Sequence, residues 1–264
     1  MEIKTFPVPK PRPDRDEGGV TGGPEDDSPS HIDGQISNDA RSVIRSASTA
    51  FLNQQTVLQI GTFSFILASL IVASLTYSYS ALVTVPLFGF AAGHCVSCAV
   101  SIMLAISNGE RRLEFWPSMS PYTWLSNTFW LTWAVIVAGG VPFFISIILL
   151  GQGWVCGVLT ILGTLLLLPV VAVSMLRSAS LGSPLEKGVV RTLQTDRPLW
   201  LAFHGIASAL ATLVVIGPIL FVALDLPAAL TVAATVVAGV CGLFAYCSIL
   251  GALAHRIDLI APDQ

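Results

Sequence analysis

Six long apolar stretches constrain this chain more than any other feature of its 264 residues. They run over about 57–76, 82–106, 125–150, 154–176, 199–224 and 226–254. A helix needs about 20 residues to cross a hydrocarbon core of about 30 Å, so each stretch is long enough. Barrel strands are about ten residues long and alternate apolar with polar side chains, which these stretches do not. Because backbone groups in lipid must be hydrogen-bonded within their own segment, the sequence predicts an all-α, polytopic transmembrane helical bundle of six spans.

The positive charges predict how the bundle lies in the membrane. All 13 Lys and Arg residues fall in the first 45 residues, at 111–112, within 177–197, or at Arg256. With six spans, these four regions lie on one side, and the positive-inside rule places that side in the cytoplasm. We therefore predict a multi-pass protein of the cell (inner, cytoplasmic) membrane with both termini in the cytoplasm.

The first 50 residues have a different composition, since they hold nine of the 16 acidic residues and the proline-rich run PVPKPRPD. Such a segment cannot bury a core, so we predict a disordered cytoplasmic tail over 1–40. Over 41–56, apolar side chains at Ile44, Ala47 and Phe51 share one helical face, which predicts an interfacial amphipathic helix. The remaining predicted divisions are a six-helix transmembrane domain over 57–256 and a short cytoplasmic C-terminus over 257–264.

A second short helix is predicted in the long cytoplasmic loop between the fourth and fifth spans. Ser183 and Glu186 form an S-x-x-E capping box with Pro184 between them, which predicts a helix that begins at Pro184. Its apolar side chains recur every four residues, at Leu185, Val189 and Leu193. We expect this face on the membrane surface, with Lys187 and Arg191 toward water or lipid phosphates.

The run GHCVSCAVS in the second span is the strongest candidate for a metal site. Cys95 and Cys98 share a helical face and His94 adjoins them, and these side chains are ligands for transition metals. One helix alone does not complete a site, and the only other intramembrane histidine is His204. The alternative is that the cysteines are small apolar fillers and that each neutral imidazole bonds a backbone carbonyl or a Ser. We predict this alternative, and hence no metal, cofactor-binding or catalytic site.

The same helix carries a ridge of small residues at four-residue spacing, namely Gly89, Gly93, Ser97 and Ser101. Such a ridge lets another helix approach closely. The partner helix belongs either to the same chain or to another protomer.

A faint internal repeat appears at an offset of 76 residues, which superimposes Ser107 on Ser183, Trp124 on Trp200 and Pro142 on Pro218. The second and third spans would then duplicate the fourth and fifth, a pattern that occurs in transporters.

Three segments carry a resemblance to a known family: the NGE turn at 108–110, the Trp-Pro entry to the third span, and the run LLLLPVVAVSMLRSASLGSPLEKGV at 165–189. They resemble an uncharacterised domain-of-unknown-function family of bacterial and archaeal multi-spanning membrane proteins, over about 57–256. The resemblance implies a helical membrane domain of unassigned activity, and it provides no catalytic residues.

The function that we predict is that of a non-enzymatic membrane scaffold or interaction protein. No G-x-S-x-G, phosphate-loop or H-E-x-x-H motif and no intramembrane carboxylate pair occurs in the sequence. The expected partners are the lipid bilayer and a protein that docks on the N-terminal tail or the cytoplasmic loops, with no nucleic acid and no cofactor. A small-solute transporter or channel built on the repeat is the first alternative, and an intramembrane enzyme or metal-handling protein is the second. The oligomeric state stays open.

Overall fold

The computed structural model describes residues 47–48, 51–76, 81–110, 116–117, 120–178 and 180–260. The predicted tail over 1–40 lies outside these residues, and so do 41–46 of the predicted interfacial helix and 261–264 of the predicted C-terminus. Of that interfacial helix, Ala47, Ser48 and Phe51 are helical, and Ala47 is buried.

Seven helices form the described structure, and the described residues contain no β-strand. They are α1 (Gln54–Thr76), α2 (Ala81–Ser107), α3 (Pro121–Leu150), α4 (Trp154–Ser178), α5 (Lys187–Thr195), α6 (Arg197–Ala223) and α7 (Ala228–Ile260). All except the short α5 are long and apolar enough to cross a membrane. The predicted all-α bundle of six spans is therefore confirmed, and the chain is a multi-pass membrane protein.

Helices α2 and α7 occupy the centre of the bundle. Helix α7 packs against α1, α2 and α6, and α2 also contacts α1 and α3. Helices α3 and α4 form a tightly packed hairpin, which α2 and α7 join to the rest of the bundle. Helix α6 packs on α7 and α5 and shares little contact with the other spans. The two helix pairs of the predicted repeat therefore pack differently, because α2 lies against α3 whereas α4 and α6 barely touch.

Small residues allow the closest helix contacts. A β carbon placed on Gly251 of α7 would lie 2.5 Å from the backbone oxygen of Met103 in α2. One placed on Gly163 of α4 would lie 2.5 Å from the side chain of Pro142 in α3. In lipid, helices associate mainly through such van der Waals contact and through hydrogen bonds between helices. These glycines therefore set the spacing at two main interfaces of the bundle.

The two ends of the bundle differ, and we name them for their loops. The basic end is marked by the contacts of Trp116 with Gln55, His255 with Ser107, and Arg177 with Asp258, and it also carries α5. The short-loop end carries the connections at 151–153 and 224–227.

Most buried side chains lie toward the basic end. They fall within 56–67 of α1, 91–106 of α2, 169–175 of α4, 199–203 of α6 and 240–257 of α7, with Thr84 and Cys156 as the exceptions in these helices. Helix α3 differs, since its buried side chains extend from Asn127 to Ser146. The bundle is thus closely packed toward the basic end, and outside α3 few side chains of its other half are buried.

Candidate functional site

The candidate metal ligands of α2 are buried but do not assemble into a metal site. Cys95 and Cys98 are 3% and 1% exposed, and the ring of His94 meets the ring of Phe63 in α1 edge-on at 5.5 Å. The ring of His204 instead contacts two aromatic rings of its own helix, α6. Within the described part of the chain, no three His, Cys, Asp or Glu side chains are placed to hold a metal ion.

The buried polar atoms of the spans that have no hydrogen-bond partner in the described structure include Ser64 Oγ, His94 Nδ1, Trp124 Nε1, Ser174 Oγ and Tyr246 OH. They belong to five different helices, α1, α2, α3, α4 and α7. The predicted bond of His94 to a carbonyl or a Ser is therefore absent at Nδ1.

The small-residue ridge of α2 contacts α3 of the same chain. The ring of Trp124 lies directly over Gly93, where a β carbon would come within 2.8 Å of its Cζ3 atom. Asn127 of α3 donates a hydrogen bond of 2.9 Å from Nδ2 to Ser97 Oγ, and both residues are buried. Gly89 has no neighbouring atom within 4 Å of an added β carbon, so only part of the ridge is used.

Asn127 was not among the predicted site residues, although it is the only Asn within the six predicted apolar stretches, in which Gln59 is the one other amide side chain. Amide side chains in lipid are costly without a partner, and this isolation was the signal that could have found it. Its role in the structure is a polar link between α2 and α3.

A network of polar contacts joins the loops to the helices at the basic end. Arg177, at the end of α4, pairs with Asp258 of α7 at 3.1 Å and with Glu186 of the loop at 3.5 Å. The Arg177 side chain is only 6% exposed, so water weakens these pairs less than it does pairs on an open surface. His255 Nδ1 lies 3.2 Å from the carbonyl oxygen of Ser107. Three spans, α2, α4 and α7, and the loop before α5 therefore meet at this end of the bundle.

The predicted start of α5 was wrong because the carboxylate of Glu186 pairs with Arg177 and does not cap the helix. Helix α5 begins at Lys187, three residues after the predicted Pro184, with Glu186 at the N-cap and no side-chain cap bond. The carboxylate of Glu186 turns toward Arg177 instead of folding back onto the backbone at Ser183.

The predicted apolar face of α5 packs on the bundle only in part, because Leu185 is exposed and Leu193 is half-buried, and its place at the membrane surface stays a prediction. Val189 and Thr192 are buried, and Trp200 Nε1 of α6 donates a hydrogen bond of 3.2 Å to Thr192 Oγ1. Lys187 and Arg191 are exposed, in agreement with the prediction that they point toward water or lipid phosphates.

No similarity to a known protein indicates a function, so the functional proposal depends on the geometry of the structure. No family model, curated protein or solved structure matches the chain. The resemblance to an uncharacterised membrane family therefore stays a prediction.

Proposed function

We propose that this protein is a non-enzymatic membrane scaffold that presents its basic-end loops and its N-terminal tail to a protein partner. The observation that carries this proposal is the closed interior toward the basic end. Its largest side chains are fully buried and almost all apolar, including Met103, Phe244, Leu250, Leu253 and Ile257. Close packing of this kind gives a rigid interior with one arrangement of its side chains.

The basic-end loops support the same proposal. The pairs of Arg177 with Glu186 and Asp258 hold the segment before α5 against two spans. A loop held in this way offers a partner a surface that needs little ordering on binding, which lowers the cost of association.

The proposed location is the inner (cytoplasmic) cell membrane, with the basic end and both termini in the cytoplasm. The support is the distribution of charge, since no Lys or Arg occurs in the three connections of the short-loop end, at 77–80, 151–153 and 224–227. The positive-inside rule relates this asymmetry to orientation.

A small-solute transporter is the second candidate, and one observation favours it. The bundle is closely packed toward the basic end, whereas outside α3 few side chains of the other half are buried. A transporter that exposes its site to one side at a time has such a shape in one of its states. The two candidates differ in whether the spans must move to function.

A reversible cross-link between α6 and α7 separates the two candidates. A β carbon on Gly242 would lie 3.8 Å from that of Val214, within the 3.5–4.5 Å of a disulfide. Val214→Cys and Gly242→Cys are introduced together into a chain whose five native cysteines are replaced. The cross-link is formed with an oxidant and reversed with a reductant, and Val214→Cys alone, oxidised in the same way, is the control.

The readout is complementation of a strain that lacks the gene. The scaffold proposal expects that the cross-linked protein still complements, whereas a chain without residues 1–40, inserted at normal abundance, does not. The transporter candidate expects the reverse: complementation is lost on oxidation, returns on reduction, and does not depend on the tail. The reverse outcome would replace the scaffold proposal.

A further inference from the structure

Helices α4 and α6 flank α7 without packing on each other. Both helices pack on α7 and both contact α5, yet they share almost no contact with each other. Their separation leaves a space with α7 at the back and α5 across its basic end. We call this space the α4–α6 groove.

The walls of the groove are uncharged and mostly apolar. No Asp, Glu, Lys or Arg occurs within 154–176 of α4 or within 198–223 of α6. At 1.5 Å per residue, either wall is long enough to accompany an acyl chain through one leaflet, which is about half of a 30 Å core.

The end of the groove at α5 is positively charged. Lys187 and Arg191 of α5 and Arg197, the first residue of α6, are all exposed. Among the acids at this end, Glu186 and Asp258 both pair with Arg177, and Asp196 is the acid directly beside these three cations in the sequence. On α5 itself, Val189 and Thr192 are buried against the bundle, whereas Lys187 and Arg191 are exposed together with Val190, Gln194 and Thr195.

We propose that the α4–α6 groove binds a phospholipid with an anionic headgroup. The acyl chains lie along the walls formed by α4 and α6, and the headgroup pairs with Lys187, Arg191 and Arg197. Charge complementarity at one end and apolar walls along the rest match the two parts of such a lipid. Arg forms paired hydrogen bonds with phosphate oxygens, whereas Lys acts as a compact charge.

The test uses the purified full-length chain in detergent with an equimolar mixture of phosphatidylglycerol and phosphatidylcholine of identical acyl chains. Native mass spectrometry counts the lipid that stays bound. We expect retention of phosphatidylglycerol over phosphatidylcholine. Arg191→Gln alone should lower that preference about fivefold, the equivalent of about 1 kcal/mol per cation, and Lys187→Gln, Arg191→Gln and Arg197→Gln together should abolish it.

Two matched variants separate the site from total charge. Lys4→Gln, Lys10→Gln and Arg12→Gln remove the same number of charges from the tail and should leave the preference unchanged. Lys187→Arg, Arg191→Lys and Arg197→Lys keep the charges in place and should retain it. Equal retention of the two lipids by the native chain, or an unchanged preference after Arg191→Gln, would overturn the proposal.

A soluble headgroup tests the role of the walls. Glycerol phosphate, which lacks acyl chains, should fail to displace bound phosphatidylglycerol at concentrations where added phosphatidylglycerol succeeds. Equal displacement would show that α5 binds free phosphate and that the groove does not bind a lipid.

Discussion

The close approach of α2 and α7 gives the most direct test of the packing. In Gly251→Ala, the new β carbon would lie 2.5 Å from Met103 O and 3.1 Å from Ile106 Cβ. The first distance falls short of an ordinary 3.4 Å contact by about 0.9 Å, and a backbone oxygen cannot rotate away. The helices must therefore separate, and a gap of about 0.5–1 Å forfeits a quarter to a half of the dispersion energy of the contacts that it affects.

The expected loss of stability combines two opposing effects. Overpacking of a closed interior costs about 1–3 kcal/mol, and a backbone obstacle places this site toward the upper end. Replacing Gly in a helix interior recovers about 0.8–1.0 kcal/mol. We expect Gly251→Ala to lower the free energy of unfolding by about 1–2 kcal/mol.

Gly239→Ala is the matched control, because it makes the same substitution in the same helix. Nothing lies within 4 Å of a β carbon at Gly239, so this variant should be more stable than the native chain by up to about 1 kcal/mol. Unfolding by SDS in mixed micelles, followed by tryptophan fluorescence, compares the two variants. If Gly251→Ala is as stable as Gly239→Ala, α2 and α7 do not approach as closely as the structure shows.

Three further predictions address orientation, polar contacts and proline. In a cysteine-free chain in intact cells, an impermeant maleimide should label a cysteine at Gln152 but not one at Gly188; equal labelling would contradict the proposed orientation. Asn127→Leu removes the bond to Ser97 and should cost about 0.6 kcal/mol, and at most about 1.7, in the same unfolding assay. Adding Ser97→Ala should cost little more, whereas a second full loss would show that the two residues act independently. Pro142→Ala restores a backbone donor, so the melting temperature should rise or barely change and complementation should persist; normal abundance without complementation would favour the transporter.

The helices were predictable because a long uncharged stretch in lipid can satisfy its backbone hydrogen bonds only as an α-helix. Five of the six predicted spans begin and end within about four residues of the observed helices. The exception is α7, which continues to Ile260, six residues beyond the predicted end. His255 and Asp258 look like the polar end of a span by hydropathy. In the structure, His255 contacts Ser107 and Asp258 pairs with Arg177 at the same end of the bundle. These contacts allow α7 to continue beyond the apolar stretch.

The tertiary contacts were less predictable, because local pattern does not specify a partner. The ridge of α2 predicted close packing, but the sequence could not show that Gly93 faces Trp124 of the same chain. Likewise, the sequence pattern of Ser183 and Glu186 fits a capping box. In the structure, the carboxylate of Glu186 pairs instead with Arg177, which lies nine residues earlier in the chain. A charged partner at the end of a neighbouring span prevailed over a local cap, which is worth about 1 kcal/mol.

The position of the packed half determines what the α6–α7 cross-link can reveal. Helices in lipid hold together through close contacts and interhelical hydrogen bonds, and in α6 and α7 the buried residues end at Phe203 and begin at Val240. Gly242 lies at the start of the packed part of α7, whereas Val214 lies eleven residues beyond Phe203, where α6 has no buried residue. The cross-link therefore fastens the loosely held half of α6 to the packed half of the bundle. The cross-link prevents α6 from swinging away from α7 about its anchored basic end. A fully cross-linked protein that still complements would therefore show that its function does not need this motion.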